Sequence, residues 1–168
     1  MAQAQRKVVL GLGNLLSRDE GLGVHLLADL RATGRLDAVV ELIDGGTLGL
    51  HLLPLVEECS HLLLLDAVDA GKPPGTVIDL ARQDIPLYTN IKLSQHQATF
   101  QEVLGLASFR GRLPEHLHLV GIQPANLAVG LDLSPTVAAA APEAIDRCLD
   151  VLHGWGLLIA VGNASHPT

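Results

Sequence analysis

The stretch KVVLGLGN, residues 7–14, carries the strongest fold signal of this chain. Its first six residues form a short apolar run that is interrupted by glycine, which is typical of a β-strand buried on both faces. Residues 21–30 then carry apolar side chains at helical spacing, and Gly34 follows as a helix terminator. A buried strand followed by such a helix is the unit of a parallel sheet covered by helices.

The rest of the chain repeats this alternation. We predict strands at 7–12, 39–43, 61–65, 75–80 and 118–122, and helices at 21–30, 47–59, 94–109 and 134–152. Thr47 and Ser94 are predicted to cap two of the helices, and Pro135 takes the first position of the last one. The connection before residue 75 is too short for a helix, so the fourth strand is predicted to be an antiparallel edge.

These elements predict one α/β domain over residues 1–168. Its sheet is mainly parallel, twisted and five-stranded, with helices on both faces, one antiparallel edge strand and a loose tail at 163–168.

Composition narrows the class of function. Of the 168 residues, 48% are hydrophobic but only 2% are aromatic, so the core must be aliphatic. The formal net charge of −7 argues against nucleic-acid binding. No apolar run approaches the length of a membrane span. Cys59 and Cys148 stand far apart without metal-ligand spacing, so we expect buried, reduced thiols and a cytoplasmic protein.

Acidic residues fall where the predicted strands end. Asp19 and Glu20 follow the first strand, Asp44 closes the second and Asp66 closes the third, while His96 opens the helix before the fifth. In parallel sheets, ligands bind beyond the carboxyl ends of the strands. Two carboxylates and an imidazole at that edge would suit a divalent metal with open coordination positions.

Each of these residues also has a purely structural interpretation. Residues 17–20 match the S-x-x-E pattern of a capping box that would involve Glu20, and residues 94–97 offer a similar pattern around His96. Asp66 could accept hydrogen bonds from backbone N–H groups at its strand end.

Other motifs favour structural roles. In the segment DGGT, residues 44–47, the glycines are expected to take positive φ and Thr47 to cap the next helix, while Asp44 stays a functional candidate. The GLGN segment at 11–14 lacks the third glycine of a dinucleotide fingerprint, because Leu16 stands in its place. His116 and His118 are expected to be surface residues.

Several segments in order resemble the nickel–iron hydrogenase maturation endopeptidases. They are GLGNLL at 11–16 with DEG at 19–21, DGGT at 44–47, LDAVD at 65–69, SQHQ at 94–97 and GIQP at 121–124. The resemblance extends over residues 8–152, and the segment 94–106 is most similar to members that serve uptake hydrogenases. It implies an α/β endopeptidase that removes a C-terminal extension from the precursor of the hydrogenase large subunit once nickel has been inserted.

The resemblance also implies roles for individual residues. Glu20, Asp66 and His96 match the metal-contacting positions, and the metal is chiefly the nickel of the substrate, with no organic cofactor. Asp44 matches a functionally important aspartate, either as a general base or as a positioning group. The alternative function is a non-enzymatic nickel-handling or checkpoint module that binds the same precursor. A small-molecule hydrolase is disfavoured because aromatic residues for a stacking pocket are few.

Overall fold

The computed structural model describes residues 5–85 and 95–160, with the backbone alone for residues 95–99. Five strands form one sheet: β1 Arg6–Leu12, β2 Val40–Gly46, β3 Cys59–Ala67, β4 Val77–Ala81 and β5 His116–Ile122. The helices are α1 Leu22–Ala32, α2 Leu53–Glu58, α3 Gln95–Phe109 and α4 Pro135–Gly154. The α/β prediction is confirmed. The predicted tail at 163–168 and the predicted cap Ser94 lie outside the described residues.

The strand order is β2-β1-β3-β5-β4, and every neighbouring pair is parallel except β4 with β5. The predicted antiparallel edge strand is therefore confirmed. The connection from β3 to β4 has no room for a crossover helix, so the chain reverses direction there. Strand β4 then pairs antiparallel with β5, which lies between β4 and β3.

Helices cover both faces of the sheet, as predicted. Alternate residues along each strand point to opposite faces. In β3, Leu62 and Leu64 pack in the aliphatic cluster that includes residues of α3, whereas Leu63 and Leu65 pack in the cluster that includes α1 and α4. This double burial explains the unbroken apolar run of β3. In the described part of the chain, no helix is long and apolar enough to cross a membrane.

The predicted helix at 47–59 is wrong in its bounds and in its cap. Strand β2 extends through Gly46, a 3-10 turn spans Gly49–Leu52, and α2 is limited to Leu53–Glu58. Thr47 caps neither element. Instead, the Asp44 carboxylate accepts a hydrogen bond from the Gly46 N–H at 2.9 Å and closes the turn itself. Cys59 directly follows the end of α2 and is also the first residue of β3.

His116 and His118 are not surface residues. Both belong to β5 and are half-buried. The His116 ring stacks on His61 with centroids 4.2 Å apart, and His118 is hydrogen-bonded to Asp79. These contacts, together with that of the His116 ring with Trp155, cover part of each ring.

Candidate functional site

The carboxyl ends of β1, β2 and β3 converge at Gly13. Its N–H donates to the Gly46 carbonyl at 2.9 Å, which joins the segments after β1 and within β2. Gly13 has φ +119, and a Cβ at this position would lie 1.8 Å from the Glu20 carbonyl oxygen and 3.8 Å from Asp66 Oδ1. Only glycine fits this conformation and this close approach. The backbone of Glu20 and the carboxylate of Asp66 therefore flank the same point.

Glu20 and Asp66 are both buried at this edge. Asp66 lies in β3, only 3% exposed, on the sheet face that α3 covers. Glu20 lies in the 3-10 turn Arg18–Gly21 and is 9% exposed. Burying two carboxylates at one edge is costly unless a cation or donors face them. The structure thus brings together two of the three predicted metal-contacting residues.

His96 is the second residue of α3, one helical turn before Phe100. Phe100 lines a small crevice together with Asp66, so the start of α3 lies near the same edge. The His96 side chain is not among those that the structure describes. Among the described side chains, no group of three histidines, cysteines or acids is placed to hold a metal ion. The complete Glu20–Asp66–His96 set therefore stays a prediction.

The capping-box interpretation of Glu20 is wrong. The Ser17 side chain makes no cap hydrogen bond, and its backbone N–H donates to the Asn14 carbonyl at 3.1 Å. A capping box would need that N–H for the Glu20 carboxylate. Glu20 is thus left without the structural role that its local sequence suggested.

Asp44 lies in β2 beside Gly11 of β1 and is exposed. Its neighbours Gly46 and Thr47 line the same crevice as Asp66 and Gly13. Gly46 takes the expected positive φ of +48, but Gly45 does not. A Cβ on Gly45 would lie 2.8 Å from Leu10 Cδ1, so a larger residue here would require the leucine side chains around it to shift. The exposed Asp44 carboxylate is thus close in sequence to two residues of the crevice, and its role as a general base or a positioning group stays a prediction.

Asp19 is a buried residue whose role the sequence did not reveal. It is fully buried, and its carboxylate accepts hydrogen bonds from the N–H groups of Ala125, Asn126 and Ser134 and from the Ser134 hydroxyl. These contacts tie the turn that holds Glu20 to the loop after β5. Burial alone would raise the pKa of Asp19, but the four hydrogen bonds outweigh burial and lower it. The partners stand more than 100 residues away, so no local pattern could have indicated them.

The two cysteines are buried, unbridged and on opposite faces of the sheet. Burial raises the pKa of both the Cys59 and the Cys148 thiols to about 12. A thiol with that pKa supplies almost no thiolate at neutral pH, so neither is a nucleophile. The prediction that both thiols are buried is confirmed.

Three comparisons with known proteins agree. A family model described as hydrogenase maturation protease matches residues 24–151. The chain is 41% identical over 160 residues to the hydrogenase expression/formation protein HupD of Rhodobacter capsulatus, covering 94% of this chain and 76% of that protein. It is 37% identical over 163 residues to the hydrogenase 2 maturation protease of Escherichia coli K12, covering 96% and 99%.

The fold gives the same answer. The structure of the hydrogenase maturating endopeptidase HybD from E. coli matches with a TM-score of 0.82 at 35% identity, covering 92% of this chain and 98% of HybD. The fold and these matches define a hydrolase of the endopeptidase class. The chain belongs to the hydrogenase maturation protease family. A non-enzymatic module finds no support in these comparisons.

Proposed function

We propose that this endopeptidase removes the C-terminal extension from the precursor of a nickel–iron hydrogenase large subunit, and that it recognises the nickel already inserted there. The observation that carries this proposal is the burial of two acidic residues, Glu20 and Asp66, at one edge of the sheet, where the Glu20 backbone and the Asp66 carboxylate are both close to Gly13. His96, at the start of α3, would supply the third ligand.

The physical logic is recognition through open coordination. Three protein ligands leave positions free on a divalent ion, so the enzyme can contact a nickel ion that the substrate already holds. An empty precursor lacks this contact and binds more weakly. A contact of about 3 kcal/mol changes affinity roughly 100-fold, which is enough to restrict cleavage to loaded precursor.

The chemistry then needs an activated water or a polarised carbonyl, and nickel supplies either when it is bound. Asp44 would take a proton from the attacking water or hold the scissile segment in place. The Asp44 carboxylate accepts a hydrogen bond from the Gly46 N–H, and this bond holds the carboxylate in place next to a residue that lines the crevice.

Cytoplasmic action is part of the proposal. It is supported by the two unbridged thiols, which suit a reducing compartment.

Mass spectrometry of precursor incubated with this protein tests the function. We expect loss of the C-terminal extension from nickel-loaded precursor and none from nickel-free precursor. Equal cleavage of both forms would contradict recognition of nickel, and cleavage of neither would contradict the protease function.

Two variants test the carboxylates in the same assay. Glu20→Ala and Asp66→Ala are each expected to lower kcat/KM about 100-fold, the effect of losing a contact of roughly 3 kcal/mol. The matched control is Glu102→Ala, since Glu102 is an exposed carboxylate on α3. Unchanged activity in both variants would show that neither Glu20 nor Asp66 takes part in recognition or cleavage.

A further inference from the structure

A cavity of about 330 Å³ adjoins Asp66, within the size range of ligand-binding pockets. It lies between α3 and the part of the sheet formed by β3, β4 and β5. Its walls are mainly aliphatic and include Leu64, Val68, Ile85 and Leu104. The sequence did not indicate this cavity, because its lining residues are of the same aliphatic types as the residues of the hydrophobic core.

The cavity also contains a polar group in an unusual state. Gln101 of α3 lines it and is only 9% exposed, and its buried Nε2 makes no hydrogen bond to any part of the chain that the structure describes. A buried donor without an acceptor is costly, and native structures contain few of them. Because Gln101 lines the cavity, its amide is within reach of an acceptor on a molecule bound there.

The edge of the sheet forms another wall. Residues 76–80 line the cavity consecutively, although alternate side chains of a strand point to opposite faces. The cavity therefore runs along the backbone of β4. This strand pairs with β5 alone among the described strands, and an edge strand presents backbone groups that can pair with an extended segment.

We infer that this cavity is a binding site for an extended, apolar segment of the precursor, which lies along β4 and places an aliphatic side chain between α3 and the sheet. A backbone carbonyl of that segment accepts the hydrogen bond from Gln101 Nε2. A single peptide can thus pack against the aliphatic walls, accept the hydrogen bond from Gln101 and pair with the edge of β4. Because the cavity shares Asp66 with the proposed nickel-recognition site, the segment enters next to the point of cleavage. This inference rests on the proposed function.

Gln101→Leu tests the amide. It removes a donor that is unsatisfied in the free protein, so the Tm should stay equal or rise, while KM for nickel-loaded precursor should rise about 3- to 10-fold with kcat unchanged. Gln123→Leu is the matched contrast. The Gln123 side chain accepts from the Ala70 N–H at 2.8 Å and donates to Asp69 at 3.1 Å, so its loss should lower the Tm. A lowered Tm with unchanged KM in Gln101→Leu would overturn the assignment of Gln101.

Ala70→Leu tests the cavity volume, because Ala70 is half-buried and lines it. We expect KM to rise at least 10-fold. Ala139→Leu adds the same volume at an exposed position of α4 and should leave KM unchanged. Calorimetric binding of the same precursor separates the two proposals. No cleavage by the wild type, but binding weakened by Ala70→Leu, would refute the protease function alone. Cleavage and binding unaffected by both Gln101→Leu and Ala70→Leu would refute the cavity alone.

Discussion

Replacing Asp19 by alanine should destabilise the whole fold although Asp19 is a polar residue and not a member of either hydrophobic cluster. The side chain is fully buried, and its carboxylate accepts four hydrogen bonds of 2.7 to 2.9 Å. A hydrogen bond to a charged group contributes about 1.5–3 kcal/mol, but such contributions do not add and partly exposed donors can rehydrate. We therefore expect a loss of about 3–5 kcal/mol, as for other broken buried charge networks. For a chain of this size, that lowers the Tm by roughly 6–20 °C.

The same carboxylate predicts a dependence of stability on pH. Its pKa is lowered in the folded protein, whereas in the unfolded chain it returns to about 3.9. Between the folded-state pKa and that value, the unfolded state binds more protons, so stability rises with pH. The contribution of Asp19 is complete above about pH 4 and is lost as the pH falls through the folded-state pKa. The stability difference between wild type and Asp19→Ala should therefore shrink on acidification.

Urea unfolding of wild type and Asp19→Ala at neutral and acidic pH measures both effects. Asp29→Ala is the matched control, because Asp29 is an exposed carboxylate on α1. Its free energy of unfolding should change by less than about 0.5 kcal/mol. The reasoning is refuted if Asp19→Ala unfolds at the same urea concentration as this control at neutral pH.

Three further predictions concern the site. Gly13→Ala should abolish cleavage and lower the Tm, since its Cβ would lie 1.8 Å from the Glu20 carbonyl; a melting curve and the cleavage assay check this. Asp44→Asn should lower kcat at least about tenfold, while calorimetry should show that nickel binding is retained. If the variant cleaves at the wild-type rate, the role of Asp44 is limited to closing its turn. The purified chain should lose added nickel on dialysis, because two hard carboxylates and one imidazole leave several coordination positions open. If elemental analysis still finds stoichiometric metal after dialysis, the ion is resident in the protein.

Much of the fold was readable from local patterns. The strands around Val9 and Leu63 are buried on both faces, so their apolar runs stand out, and the short turn before β4 required that strand to run antiparallel to β3. Glu20 and Asp66 could be predicted to lie at one edge of the sheet, because parallel strands bring their carboxyl ends together there. The bounds of α2 could not be predicted, since the turn before it is closed by Asp44 rather than by Thr47.

Residue types and spacing along the chain thus determined the class of fold and the edge at which the site forms. Only the tertiary structure decided which buried acidic residue holds loops together and which one lies at the candidate site. Asp19 and Glu20 are adjacent and chemically alike, yet Asp19 binds backbone groups beyond residue 124 while Glu20 lies beside Gly13 and Asp66. The cavity beside Gln101 likewise arises where α3 meets the edge strand. Periodicity reports which face of an element is buried, but hydrogen bonds and cavities depend on which distant residues face each other there.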